Sequence, residues 1–401
     1  MKNSTGQTDG QTDTNKKMVS LRSAVAPFLA MDVLVAANAR EAEGKTVLHM
    51  EVGEPGHQAP LAVREAAKEA IDNARISYTP SLGLPSLRAR IARHYGETYG
   101  ADVSPDRVAI TTGSSAGFIL SFLAAFDVGD RVGLSAPGYP AYRNTLKALG
   151  LVPVDISVKA ANRYVVTADE VAAVHSEEKL QGLLIASPAN PSGTMLKPDA
   201  FIDLIKCCEE LDIRFISDEI YHGLVFDGQA ETALNHSKNA VVINSFSKYY
   251  CMTGWRIGWM VLPQDLNRPI ERLAQSLYIS APYLSQVAAE KAFDATQELD
   301  QIKQVYARNR EKLLRALPEI GFEDMHPADG AFYIYADARR FTNDALDFSK
   351  KLLETVGVAA TPGVDFDPIN GQTTIRFSFA GSEETIDAAI AAMKSSKCCQ
   401  L

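Results

Sequence analysis

Between residues 107 and 262, seven short β-rich runs alternate with amphipathic helical stretches, and this alternation constrains the fold more than any other feature. The runs are Arg107–Thr111, Arg131–Ala136, Leu151–Ile156, Gly182–Ser187, Ile213–Ser217, Ala240–Ser245 and Arg256–Leu262. Helical periodicity precedes the first at Leu61–Ala74 and separates others, as in Gly117–Phe126 and Pro198–Leu211. Such alternation predicts an α/β fold: a seven-stranded, mostly parallel sheet with helices on both faces. Ligands of such sheets gather outside the carboxyl ends of the strands. After Ser280-Ala281-Pro282 one long helical stretch is expected to about residue 316. It is followed by a strand at Ala331–Tyr335, a helix at Thr342–Thr355, a strand at Thr374–Phe379 and a helix at Ser382–Met393. This second pattern reads as a smaller α+β domain. The expected division is a disordered tail (1–17), an N-terminal segment packing on the small domain (18–55), a large domain (56–290), the small domain (291–395) and a frayed tail (396–401).

Composition removes several classes. The formal charge of −9 argues against nonspecific nucleic-acid or anionic-membrane binding, which needs clustered positive charge. No long uncharged apolar run suggests a membrane span. Met1 to Lys17 is polar and lacks the apolar core of a signal peptide. Five cysteines, Cys207, Cys208, Cys251, Cys398 and Cys399, show no CxxC spacing, so neither a disulfide framework nor a metal site is expected. A reducing cytoplasm is the simplest home. Cys398-Cys399-Gln400-Leu401 matches a loose prenylation pattern, but no polybasic stretch precedes it and a plain tail is expected.

The chemistry-bearing runs stand at strand ends. Asn244-Ser245-Phe246-Ser247-Lys248 closes the strand from Ala240, with Arg256 eight residues later. A lysine there is placed to form a Schiff base with an aldehyde cofactor, while the hydroxyls and Arg256 take its phosphate. Thr112-Gly113-Ser114-Ser115-Ala116 follows a strand and opens an apolar helix, whose free N–H groups and dipole suit a phosphate. Alone, it reads equally as an N-cap. Pro137-Gly138-Tyr139-Pro140 presents an aromatic ring that can stack on a planar cofactor or simply pack in a turn. Asn190, in Ser187-Pro188-Ala189-Asn190-Pro191-Ser192-Gly193, can hydrogen-bond a phenolic oxygen, or the run is only a turn. Asp218-Glu219-Ile220-Tyr221-His222 ends another strand. A buried Asp218 there needs a cation, either a protonated ring nitrogen or a basic side chain, and Tyr221 reaches the same face. His222 reads as structural or as support for its neighbours. Arg376, flanked by apolar residues in Thr374-Ile375-Arg376-Phe377-Ser378, can grip a carboxylate with two parallel hydrogen bonds or form a structural ion pair.

Taken together, in order and with Gly53-Glu54-Pro55, Tyr78-Thr79-Pro80 and Gly83, these runs resemble the class I/II aminotransferases, the aspartate aminotransferase-like enzymes of pyridoxal phosphate fold type I. The resemblance covers residues 25 to 395. It implies pyridoxal 5′-phosphate as cofactor, Lys248 as Schiff-base lysine and proton shuttle, and Asp218 on the pyridine nitrogen. It also implies Asn190 and Tyr221 on the phenolic oxygen and Tyr139 stacked on the ring. Gly113, Ser114, Ser115, Ser245, Ser247 and Arg256 match the phosphate-contacting positions. Tyr78 matches a residue that reaches the neighbouring subunit's phosphate, so a homodimer with shared active sites is implied. Arg376 and Asn190, with Gly53 nearby, would bind the substrate carboxylate. The substrates implied are an amino acid and a 2-oxo acid.

The side-chain preference is less constrained. Tyr278–Ser285, where some dicarboxylate-specific relatives carry a second arginine, has none here. Arg22 is a substitute candidate, and Phe28 and Tyr283 are candidates for an apolar side-chain pocket. A neutral or aromatic amino acid is favoured, with 2-oxoglutarate as acceptor. The alternatives are an aspartate aminotransferase and a carbon–sulfur β-lyase on the same fold. A regulator using this fold as a sensor would carry a DNA-binding domain, for which the roughly twenty residues ahead of the fold are too few.

Overall fold

The computed structural model describes residues 20–396 and residue 399. The expected tail at 1–17 and Cys398 lie outside these residues, and Cys399 is buried. In chain order the strands are β1 (Leu48–His49), β2 (Val108–Thr111), β3 (Arg131–Ala136), β4 (Val152–Ser157), β5 (Gly182–Ala186), β6 (Arg214–Asp218), β7 (Val241–Ser245), β8 (Gly258–Val261), β9 (Tyr333–Asp337), β10 (Val358–Ala359), β11 (Thr361–Pro362) and β12 (Thr374–Ser378).

Seven of them form one sheet in the order β2-β8-β7-β6-β5-β3-β4. All neighbours are parallel except β8, which runs antiparallel to both β2 and β7. Every expected run of the large sheet is a strand, with edges shifted by one or two residues. Both faces are buried, and the period of two divides the side chains between them. Leu183, Phe215, Val242 and Trp259 join one apolar cluster with helices Leu61–Asn73, Pro85–Tyr99 and Pro198–Glu210. Leu184, Ile216, Val241 and Met260 join a second cluster with helices Ser114–Ala125, Pro140–Leu149 and Gln264–Leu277. The last of these helices was not named from sequence, and it carries Pro269 within its length. Leu266, Ile270 and Ala274, four residues apart, bury its inner face.

A three-stranded antiparallel sheet, β11-β12-β9, sets Arg376 opposite Tyr335 and Thr361. The N-terminal segment reaches the same region: helix Leu29–Ala42 leads to β1, which pairs in parallel with β10. Three expectations are corrected here. The long helical stretch after residue 282 is two helices, Tyr283–Ala292 and Thr296–Ile320, broken at Phe293–Ala295. The strand expected at Ala331 begins at Tyr333, because Ala331 takes a left-handed φ of 59°. The helix expected at 342–355 begins at Ala345, capped by the Asp344 carboxylate, and widens into a π-turn at Leu352–Val356.

Candidate active site

Six strands of the large sheet, β2 to β7, run the same way and release their chains at one edge, and β8, running the other way, begins there. Arg256 therefore reaches the edge where Ser245 and Gly113 lie, although it precedes its strand. Gly113 has φ 76° and opens helix Ser114–Ala125 with no side-chain cap, so the leading amides have no side chain covering them. A Cβ at Gly113 would lie 2.6 Å from the Arg256 Nη2. Among the described residues no carboxylate pairs with Arg256; its Nη1 donates to the Thr253 carbonyl at 2.8 Å. The Ser245 hydroxyl donates to the Ile257 carbonyl at 3.0 Å and accepts from the Ser247 amide at 3.1 Å, with Ser247 Oγ 2.9 Å away, fixing the turn that delivers Lys248.

The Lys248 amine donates to the Gly53 carbonyl. Burial first, then the Arg376 and Arg256 charges, pushes it down to about 8. Asp218, at the end of β6, accepts from the Ile220 amide at 3.1 Å and from the Tyr142 hydroxyl. Burial pushes its carboxyl up to about 6, and among the described residues it has no ion-pair partner. The Tyr221 and Tyr333 hydroxyls are 2.9 Å apart. Tyr139 presents a ring at the wall, set edge-on to Phe28 (centroids 5.7 Å apart) and to Tyr142 (5.2 Å).

Arg376 is 3% exposed, yet no carboxylate pairs with it among the described residues. Nη1 donates to Asn190 Oδ1 at 2.9 Å, and Nη2 donates to Thr361 Oγ1 at 3.2 Å and to the Glu51 carbonyl. Nε has no partner. The guanidinium lies 4.4 Å from the Tyr333 ring centre and 4.7 Å from that of Phe366. A buried guanidinium held by neutral groups is set up to receive an anion.

Gly53, Ser114, Ser115, Tyr139, Asn190, Asp218, Tyr221, Ser247, Lys248, Arg256 and Arg376 line one cavity of about 260 Å³. Gly113 and Ser245 stand directly behind it. Tyr78 is not brought to it: its side chain is 78% exposed on the surface of this chain. Phe28 lines the cavity with Ala30, Met31 and Val52, whereas Tyr283 and Arg22 do not. The donor set suits a planar group with an anionic end at the helix terminus, a cationic ring atom at Asp218 and a carbonyl at Lys248. Among the described residues no cluster has the arrangement of a metal site.

Several residues were missed from sequence. Tyr142 stands three residues after Tyr139 on one helix, a spacing that could have flagged it. Tyr333 and Thr361 meet Arg376 through strand pairing, Phe366 through the turn after β11, and none carried a local signal. The neighbours of Asp218 form a buried brace. His222 Nε2–H donates to the Ser187 carbonyl at 3.1 Å, so its Nδ1 accepts from the Tyr99 hydroxyl at 3.0 Å. Burial pushes His222 down to about 3, keeping it neutral. Burial pushes Glu219 up to about 8. Its Oε1 accepts from Ser217, Thr232 and the Ala233 amide, and its Oε2, 3.6 Å from His222, has no hydrogen-bond partner. The brace joins the loop carrying Asn190 to the loop carrying Asp218 and Tyr221.

Comparison with known proteins converges on one group. The family model for aminotransferase class I and II matches residues 45–393. The chain is 46% identical to valine–pyruvate aminotransferase of Mycobacterium tuberculosis, covering 93% of this chain and 96% of the relative. It is 34% identical to (5-formylfuran-3-yl)methyl phosphate transaminase of Methanocaldococcus jannaschii, covering 95% and 98%. Among solved structures, aspartate aminotransferase from Thermus thermophilus with maleate superposes with a TM-score of 0.88 at 26% identity, covering 93% and 98%.

Proposed function

The chain belongs to the class I and II aminotransferases, and from that premise we propose that it moves an amino group from a neutral L-amino acid, aliphatic or aromatic, to a 2-oxo acid such as 2-oxoglutarate or pyruvate. Members of this family generally use pyridoxal 5′-phosphate, and the donor set described above fits that group. The observation that carries the reading is the meeting, in one cavity, of a low-affinity amine (Lys248), an unpaired buried carboxylate (Asp218) and an unpaired buried guanidinium (Arg376).

The cofactor supplies an electron sink for the bond broken at the substrate's α-carbon. The rest falls to the chain. The amides of Ser114 and Ser115, the Ser247 hydroxyl and Arg256 would hold the phosphate, with Ser245 behind them fixing Ser247. Asp218 keeps the ring nitrogen protonated, and the Tyr142 hydroxyl orients that carboxylate. Asn190 gives its oxygen to Arg376, leaving its NH₂ to donate to the phenolic oxygen beside the Tyr221 hydroxyl. Tyr139 covers the ring face. Arg376 grips the substrate carboxylate. Lys248, with its proton affinity lowered, takes the α-proton and returns it.

Three features support a neutral donor. Phe28, Ala30, Met31 and Val52 give the cavity an apolar wall. Among the described residues the arginines lining it are Arg256 and Arg376, both already assigned. The relative at 46% identity is named for valine and pyruvate. A homodimer fits the exposed Ile76, Tyr78, Leu277 and Ile279. The two stretches are tied by the Thr79 amide donating to Ser280 Oγ at 3.3 Å. Tyr78 would complete the partner's site. The division into a cofactor-binding domain (56–290) and a smaller domain (291–395) carrying 18–55 is supported by the β1–β10 pairing. The free thiols of Cys207, Cys208 and Cys251 suit a reducing cytoplasm.

The test mixes cofactor-loaded protein with single amino acids and follows the cofactor's visible absorption. Loss of the aldehyde-form band with valine or another neutral donor, restored by a 2-oxo acid, is expected. Accumulation of pyruvate and ammonia with no acceptor present would replace this reading with a β-lyase.

A further inference from the structure

Helix Leu29–Ala42 starts beside the active-site cavity without a cap of its own, since Phe28 at the cap position offers no hydrogen-bonding side chain. The anion it needs comes from far along the sequence. Asp365 Oδ1 accepts from the Leu29 amide at 3.0 Å, and Oδ2 from the Ala30 amide at 3.1 Å. Asp365 is 6% exposed, in the turn after β11, and a carboxylate there also complements the positive end of the helix dipole. Residues 20–27 ahead of the helix are exposed. The Asn144 amide also ties the approach to this end to the large sheet's helices, donating to the Ala26 carbonyl at 3.1 Å. The first turn places Phe28, Ala30 and Met31 on the cavity, with Phe28 against Tyr139.

We infer that Asp365 is a specificity-positioning residue: by holding both leading amides of this helix it fixes Phe28 and Met31 as the apolar wall against which the donor's side chain packs. The inference rests on the aminotransferase reading above. It separates two tasks within the site. Arg376 and Asn190 take the part common to all amino acids, while the capped helix reads the part that differs. A donor with no atoms beyond Cβ gains little from the wall, and one with further methyl groups gains about fourfold for each.

The test uses the full-length, cofactor-loaded protein, with valine and alanine as paired donors. Removing a capping side chain opens a helix end by about five- to thirtyfold. Asp365→Ala is therefore expected to speed amide exchange in the peptide spanning 26–33 by about tenfold. The same variant should lower the valine-to-alanine ratio of kcat/KM about tenfold through KM for valine, with alanine changed less than threefold. Phe28→Ala, which leaves the cap intact, should lower the ratio similarly without speeding exchange. Asp365→Asn, with one acceptor oxygen, should fall between Asp365→Ala and the parent. An unchanged ratio in Asp365→Ala, an equal loss for both donors, or an unchanged ratio in Phe28→Ala would each overturn the inference. A parent protein that transaminates no donor would instead sink the aminotransferase reading, and the inference with it, while the exchange measurement would still report on the cap.

Discussion

Replacing Arg376 by Met should damage activity severely while leaving stability almost unchanged. In the free protein the guanidinium makes hydrogen bonds to Asn190, Thr361 and Glu51, each contributing about 1 kcal/mol net. Its two ring contacts add about 0.5–1 kcal/mol each. Against this total of about 4–5 kcal/mol stands the cost of burying a charge that no carboxylate offsets, which is several kcal/mol. Met restores apolar contact with Tyr333 and Phe366, so the net change should lie within about 2 kcal/mol of zero, a shift in Tm of a few degrees. The substrate complex is different. Two charge-assisted hydrogen bonds to the α-carboxylate, at about 1.5–3 kcal/mol each, correspond to a loss of roughly 10²–10⁴ in kcat/KM. Arg376→Lys keeps the charge but loses the planar pair, and should fall about 10–100-fold. The assay compares an amino acid with the primary amine that lacks its carboxylate. The parent should prefer the amino acid by that large factor, and the Met variant should show almost no preference. The reasoning is refuted if Arg376→Met unfolds more than about 10 °C lower, which would make the arginine a structural tie. It is equally refuted if activity toward the amine falls as far as activity toward the amino acid.

Lys248→Ala should yield a folded protein with no measurable transamination, tested by circular dichroism alongside turnover; residual turnover near the parent rate would remove Lys248 from the chemistry. Because burial and the neighbouring arginines hold the Lys248 amine at about 8, only its neutral form attacks an aldehyde. The rate of loading pyridoxal phosphate onto cofactor-free protein should therefore rise about tenfold per pH unit below 8 and level above it, and a rate flat from pH 6 to 9 would contradict this. Asp218 holds its proton more tightly folded (about 6) than unfolded (3.8), so its contribution to stability falls as pH rises from about 4 to 6. Cofactor-free Asp218→Asn should thus gain on the parent over that window by about 3 kcal/mol and stay ahead above it, as urea midpoints at pH 4, 5, 6 and 7 would show. A constant difference across the four pH values would mean that Asp218 does not titrate there.

The part of the site readable in sequence is the part that hangs from strand ends. Asp218, Lys248, Ser245 and Gly113 each follow an apolar run directly, and parallel strands gather such ends at one edge, so local pattern predicted proximity. Arg256 was placed by its spacing from Lys248, although the reason it arrives, the reversed direction of β8, is a property of the sheet. What could not be read depends on pairing across long separations. Tyr333 reaches Arg376 because β9 lies beside β12, and Asp365 caps a helix that begins 336 residues earlier. The Glu219–His222 brace was half visible, since His222 stood out as support for its neighbours. Its partners Tyr99 and Ser187 come from other elements. Tyr78 is a different case, since its proposed role needs a second chain and its side chain is exposed on this one.

The groups proposed to react hang from a sheet packed on both faces, whereas Phe28, Ala30 and Met31, proposed to face the donor's side chain, ride on the start of a helix whose outer residues are exposed. Mutations therefore have unequal consequences at the two places. A change under the sheet edge disturbs packing and charge together, while a change at Met31, half exposed at the cavity wall, has less packing to disturb. A protein engineer can exploit the same asymmetry, confining a library to the first turn of one helix and expecting most members to fold.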